Sequence, residues 1–200
     1  PPVSRPPPLQ LEQQHHARPR LTGQTNDDAA RDASHTEARL PAHGYPGGPA
    51  IARAALDGDP EAIRFPRAIM NEGYDFSFSG LKTAVVNYVR QHPDVSSEDI
   101  AASFQAAVVD VLVTKARRAA AEVGATGIVL GGGVAANSLL REELLEACDI
   151  DGIQGFLPSR AMCTDNAAMI AAAGWHRLRS DGPTPLDVGA TPNLRLPFID

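Results

Sequence analysis

Positive charge is in short supply in these 200 residues: 18 lysines and arginines stand against 24 aspartates and glutamates, a formal net charge of −6. A chain that gripped nucleic acid unaided would show a basic surface. The acidic balance therefore argues against tight autonomous binding, and leaves a weak encounter or a partner that brings the positive charge. Cysteine is scarce as well. Cys148 and Cys163 lack metal-type spacing, and reading both as small buried hydrophobes suits a reducing cytoplasm. No apolar run approaches the length of a membrane span. No charged-then-apolar leader opens the chain, so secretion finds no support. No repeat period is visible, and no His-Glu-x-x-His motif is present, so zinc proteolysis has no residues to run on.

What is present is a globular composition, 43% hydrophobic and 21% charged, enough for one domain or one lobe of a larger protein. Residues 1–20 are rich in proline and lack apolar periodicity, which predicts a disordered tail. Such an abrupt start before a well-patterned body predicts that upstream sequence has been lost. His15 and His16 are adjacent there and would point differently on any regular element, which disfavours a preformed metal site.

Gly44-Tyr45-Pro46-Gly47-Gly48-Pro49 reads as a tight loop, with Pro49 suited to the first turn of a helix over about 50–56. The alternation of Tyr74-Asp75-Phe76-Ser77-Phe78-Ser79 predicts a half-buried strand, broken at Gly80 before a helix over 81–91. Ser96 reads as the N-cap of the longest helix, which carries Ile100, Phe104, Val108, Val111 and Leu112 on one side and ends at Gly124. Lys115, Arg117 and Arg118 near its end read either as a solvated face or as an anion-binding group.

The most informative stretch is Gly131-Gly132-Gly133-Val134-Ala135-Ala136-Asn137. It follows a short apolar strand, 127–130, and precedes a helix over 137–147. Strand, glycines, helix is the arrangement that lets a phosphate or nucleotide approach bare backbone at a helix N-terminus, and three glycines in a row cost entropy that packing does not repay. Another short strand is predicted over 153–157, and an Ala-rich helix over 167–178 with Thr164 or Asp165 as its N-cap. Strands alternating with helices predict an α/β domain whose helices cover a mixed sheet.

Four segments together resemble one family. Asp75-Phe76-Ser77-Phe78-Ser79-Gly80-Leu81-Lys82-Thr83-Ala84, Gly132-Gly133-Val134-Ala135-Ala136-Asn137 with Leu140-Arg141, Cys163-Thr164-Asp165-Asn166-Ala167-Ala168-Met169-Ile170-Ala171, and the Tyr45-Pro46-Gly47-Gly48 loop look like the C-terminal lobe of the tRNA threonylcarbamoyladenosine transferases, the TsaD or glycoprotease type. The resemblance covers residues 21–200. It implies the C-terminal lobe of an actin-like, Hsp70-like ATPase (ASKHA) fold, with the N-terminal lobe largely missing. It also implies transfer of a threonylcarbamoyl group from threonylcarbamoyl-AMP to the exocyclic amine of the tRNA adenine next to the anticodon. A paralogous partner protein and a small ATPase are implied as partners.

By the same resemblance, Gly48 and Asn137 contact the nucleotide substrate, and Asp165 is a ligand of a divalent metal, iron or zinc. Read from the residues alone, Asp165 is as well suited to capping its helix as to holding a metal, Asn137 is more often a helix cap than a ligand contact, Lys82 is catalytic or solvated, and Ser77 and Ser79 face polar surroundings. The family's histidine metal ligands and its Ser-Gly-Gly-His-Thr phosphate loop do not occur in this chain. Asp27-Asp28-Ala29-Ala30 agree with the family pattern, but Arg31, Asp32 and Thr36 depart from it. His35 stands where a substrate-contacting aspartate is expected, and no role is carried over to it. The chain thus reads as a truncated or divergent member with half an active site. Rival readings are a kinase of the same superfamily and a non-catalytic interaction subunit.

Overall fold

The computed structural model describes residues 9–13, 19–26 and 47–189. One helix organises them: α3, Ser97–Val123, 27 residues long. Its limits are set by local chemistry. The Ser96 hydroxyl accepts the backbone N–H groups of Glu98 and Asp99, and Gly124 closes the other end at φ +63°, a conformation that suits glycine. Earlier come strands β1, Leu9–Gln13, and β2, Pro19–Gln24, and helices α1, Gly47–Ala54, and α2, Ser79–Gln91. After α3 the chain runs through strand β3, Gly127–Val129, a 3-10 turn, Gly133–Ala136, helix α4, Ser138–Asp151, strand β4, Gln154–Phe156, a second 3-10 turn, Arg160–Met162, and helix α5, Ala167–Asp181.

Apolar residues on two flanks of α3 hold two cores. Phe104, Val108 and Val111 pack with Ile51 of α1, with Phe76 and Phe78, and with Leu81 and Val85 of α2. Val109 and Val113 pack with Leu140, Leu144 and Cys148 of α4. Val134 of the glycine turn packs against both clusters, so this turn is seated over the middle of α3. Strands β3 and β4 are parallel, from Gly127 opposite Gln154 to Val129 opposite Phe156, with α4 as the crossover. A Cβ added at Gly155 would fall 2.7 Å from Leu145 Cδ2, so the bare glycine lets α4 lie close on the sheet.

Among the described residues the strands form two separate pairs, antiparallel β1–β2 and parallel β3–β4, and not the expected mixed sheet. The expectation of disorder over 1–20 is corrected for Leu9–Gln13 and Pro19–Arg20, which lie in the β1–β2 ladder. Leu9 and Leu11 alternate with Gln10 and Glu12, a strand pattern overshadowed by the preceding prolines. Pro19 takes the first position of its strand, where a missing N–H is tolerated. Among the described residues the strand expected over 74–79 shrinks to one parallel bridge, Thr25 to Phe76. Its alternation survives in burial: Phe76 and Phe78 are buried and stacked 6.3 Å apart, while Ser77 is half-buried.

Each of the three basic residues of α3 is engaged by an acceptor within the fold. Lys115 is fully buried, and its Nζ donates to the carbonyls of Glu72 at 3.0 Å and Asp75 at 2.5 Å. Arg118 donates to the carbonyls of Met70 and Gly73. Arg117 makes a forked pair with Asp151.

The surface of the second half is lopsided. Val129 is 76% exposed, and every residue of α5 is exposed, with Ile170 at 68% and Trp175 at 53%. Parallel strands are ordinarily covered on both faces, and here α4 covers one. No helix among the described residues is long and apolar enough to cross a membrane.

Candidate functional site

The glycine turn, the N-terminus of α4 and the loop before α5 meet at the ends of β3 and β4. Asn137 is the N-cap of α4: its Oδ1 accepts the Leu140 N–H at 3.0 Å. Its Nδ2 donates to Gln105 Oε1, from the middle of α3, at 2.7 Å. The cap reading of Asn137 thus holds, and the residue is half-buried at the same time.

Arg141, one turn into α4, fastens this turn to the segment after β4. Its guanidinium donates to the carbonyl of Ala135 at 2.9 Å and to that of Pro158 at 2.8 Å, and lies 3.9 Å from the Cys163 sulfur. Arg160 reaches back to the Ser138 hydroxyl at 2.8 Å. A Cβ built on Gly133 would sit 3.7 Å from the Thr164 methyl. Asn137 and the loop carrying Asp165 are therefore brought together on one edge of the molecule.

Only one of the three adjacent glycines is demanded by the backbone. Gly132 has φ +86°, where other residues are strained. A Cβ on Gly131 would meet nothing within 4 Å, and all three glycines are exposed. Packing against the described residues thus gives Gly131 no steric reason to be glycine.

Asp165 is exposed and is not the cap of α5. Asn166 takes that place, its Oδ1 accepting the Met169 N–H at 3.1 Å and its Nδ2 donating to the Thr164 carbonyl. The expectation of Thr164 or Asp165 as cap is corrected to Asn166. Among the described residues no three His, Cys, Asp or Glu side chains gather where an ion could be held. One carboxylate does not hold a divalent ion, so these residues by themselves do not fit an iron or zinc site.

Gly48 lies at the start of α1, which packs on α3, and a Cβ there would meet nothing within 4 Å. The contacts that join Asn137 to the Asp165 loop do not extend to it. His15, His16, His35 and His43 lie outside the described residues, as do Tyr45 and Pro46 of the glycine–proline loop. A hollow of about 510 Å³ beside Thr114, Arg117, Gly124 and Asp151 is at the other end of α3 and includes none of Gly48, Asn137 or Asp165.

Sequence reasoning missed Gln105 and the tethering role of Arg160. No local signal marks Gln105, because its significance comes from a residue 32 positions away. Arg141 was visible only as part of a motif.

The family model described as tRNA N6-adenosine threonylcarbamoyltransferase matches residues 12–172. A protein of Symbiobacterium thermophilum named tRNA N6-adenosine threonylcarbamoyltransferase is 48% identical over 184 residues, covering 90% of this chain and 54% of that protein. Proteins of the same name from Desulfotalea psychrophila, 50% identical over 82% of this chain and 50% of the relative, and Thermotoga neapolitana, 47% identical over 87% and 54%, match similarly. The chain spans about half the length of the curated relatives it matches. By the extent and identity of these matches, the chain belongs to the tRNA N6-adenosine threonylcarbamoyltransferase family.

Proposed function

We propose that this chain supplies the nucleotide-holding half of a threonylcarbamoyl transferase acting on the tRNA adenine next to the anticodon. The observation that carries the reading is the joining of the Gly131–Gly133 turn, Asn137 and the Asp165 loop on one edge by Arg141 and Arg160. The proposed donor is threonylcarbamoyl-AMP. Its phosphate would sit against the first-turn N–H groups of α4 and the exposed glycine backbone, where donors and the helix dipole favour negative charge.

The chemistry follows from the donor. The adenine amine attacks the carbamoyl carbon, a C–N bond forms, the bond from that carbon to the phosphate oxygen breaks, and the amine loses a proton. The leaving group is AMP, whose new phosphate charge is stabilised by the donors that already hold it. Asn137 orients the nucleotide with the N–H that its Gln105 contact leaves over. Gly48 would be a further substrate contact. Asp165 is the one metal ligand this chain would offer, and no step above depends on an ion.

We also propose that the chain is the C-terminal lobe of an actin-like fold. The wholly exposed α5 and the uncovered side of β3–β4 support this, since a helix as apolar as Ala167–Trp175 is ordinarily buried. The half of the relatives' length that the chain does not span would cover that face. Cytoplasmic placement, a paralogous partner and a small ATPase complete the proposal, the tRNA-binding positive charge coming from partners.

The test is mass spectrometry of nucleosides from tRNA incubated with threonylcarbamoyl-AMP and this chain, alone and with the unmatched half of a relative. Threonylcarbamoyladenosine appearing only when both halves are present supports the proposal. Its absence under every condition, with a full-length relative active in parallel, contradicts it.

A further inference from the structure

We infer that Gln105 is a positioning and specificity residue for the phosphate end of the nucleotide, an inference that rests on the proposed nucleotide reading of Asn137. An asparagine amide has one acceptor oxygen and one donor nitrogen. The oxygen of Asn137 is committed to the Leu140 N–H, because turning the amide over would set two donors face to face. Its nitrogen must then face α3, where Gln105 Oε1 receives one proton at 2.7 Å. The same logic orients Gln105: its oxygen is toward Asn137 and its NH2 group away from it.

Gln105 is half-buried, and its NH2 group has no hydrogen-bond partner among the described residues. Donors are left over here: two N–H of Gln105, one N–H of Asn137 and the first N–H groups of α4 other than that of Leu140, which the helix cannot pair internally. Such a cluster of donors favours an acceptor-rich anion, and a phosphate ester, charged and with several acceptor oxygens, satisfies it better than a neutral nucleoside. Gln105 also holds the Asn137 amide in place, which pre-organises that residue for its ligand. A mere tether between α3 and α4 would affect stability without discriminating between ligands.

The experiment is calorimetric titration of the full chain with AMP and with adenosine, using wild type, Gln105→Leu, Gln105→Glu, Asn137→Ala and the Gln105→Leu/Asn137→Ala double variant. NMR of the Asn137 side-chain amide accompanies it. Gln105→Leu is expected to weaken AMP by about tenfold or more while changing adenosine far less, and to shift the Asn137 amide signals. Gln105→Glu keeps the acceptor for Asn137, so those signals stay near their wild-type positions, yet AMP binding falls as much or more because donors are replaced by negative charge. The double variant should lose less than the sum of the single losses. AMP affinity unchanged in both Gln105 variants, but lost in Asn137→Ala, overturns the inference and leaves the nucleotide reading standing. AMP binding absent in the wild type, or untouched by Asn137→Ala, removes the nucleotide reading and the inference with it.

Discussion

Arg141 donates to the carbonyl of Pro158 at 2.8 Å, tying the first turns of α4 to the chain that leaves β4. The same guanidinium holds the Ala135 carbonyl at 2.9 Å, so one side chain clamps both walls of the proposed site. Removing it in Arg141→Ala leaves two partly buried carbonyls to find other partners, at a cost of about 2–4 kcal/mol. Arg141→Lys keeps the charge but cannot make the fork and should recover less than half of the loss. Denaturant midpoints of the three proteins measure this.

Lys115 does the equivalent work for the loop before α2. Fully buried, it holds the carbonyls of Glu72 and Asp75 and lies 5.7 Å from the centre of the Phe76 ring. Lys115→Ala loses packing of the stem and both hydrogen bonds and should cost roughly 3 kcal/mol, and Lys115→Met, which keeps the stem, about half of that. Burial, then the neighbouring Arg118 charge, push the ammonium below the ordinary lysine range. Between that lowered native value and the ordinary one, the unfolded chain binds more protons, so this group makes stability rise with pH. The alkaline rise should be present in the wild type and absent from Lys115→Met in paired thermal melts.

Asp151 gives the opposite limb. The hydrogen bonds donated by Arg117 hold its carboxyl below the usual carboxylate range, and the pairing raises Arg117 in turn. A depressed native value means that the pair's stabilisation is present above the unfolded carboxylate range and fades as pH falls through the native value. Wild type should therefore lose more melting temperature on acidification than Asp151→Asn. Equal acid limbs in the two proteins would contradict the assignment.

The start of α5 separates two neighbouring residues. Asn166 caps the helix by accepting the Met169 N–H, so Asn166→Ala should cost about 1 kcal/mol locally, roughly a fivefold faster exchange of that amide. Asp165→Ala should leave Met169 protection close to wild type. Hydrogen exchange by NMR reads both, and an equal loss in the two variants would return the cap to Asp165.

How much of this was legible beforehand depends on how far the deciding contact reaches. Ser96 and Gly124 delimit α3 as expected, because caps are made within four residues. The glycine turn and the Asn137 cap were legible for the same reason. The β1–β2 ladder was hidden by surrounding prolines, and Tyr74–Ser79 shows strand alternation while pairing, among the described residues, only through Phe76. Lys115, Arg117 and Arg118 look like a charged face until the loop at 70–76 and Asp151 fold against them. Gln105 is invisible from sequence, since only the crossing of α3 beneath α4 gives it Asn137.

The central claim is that Asn137 and the glycine turn hold a nucleotide, and the most direct test is an amide-resolved NMR titration of the full chain with AMP. The account predicts saturable shifts at Gly131–Gly133, at Ser138 and at the Asn137 side chain, with the Thr114–Gly124 end of α3 unmoved. Shifts confined to the Arg117–Asp151 hollow, or none at any AMP concentration, would contradict it.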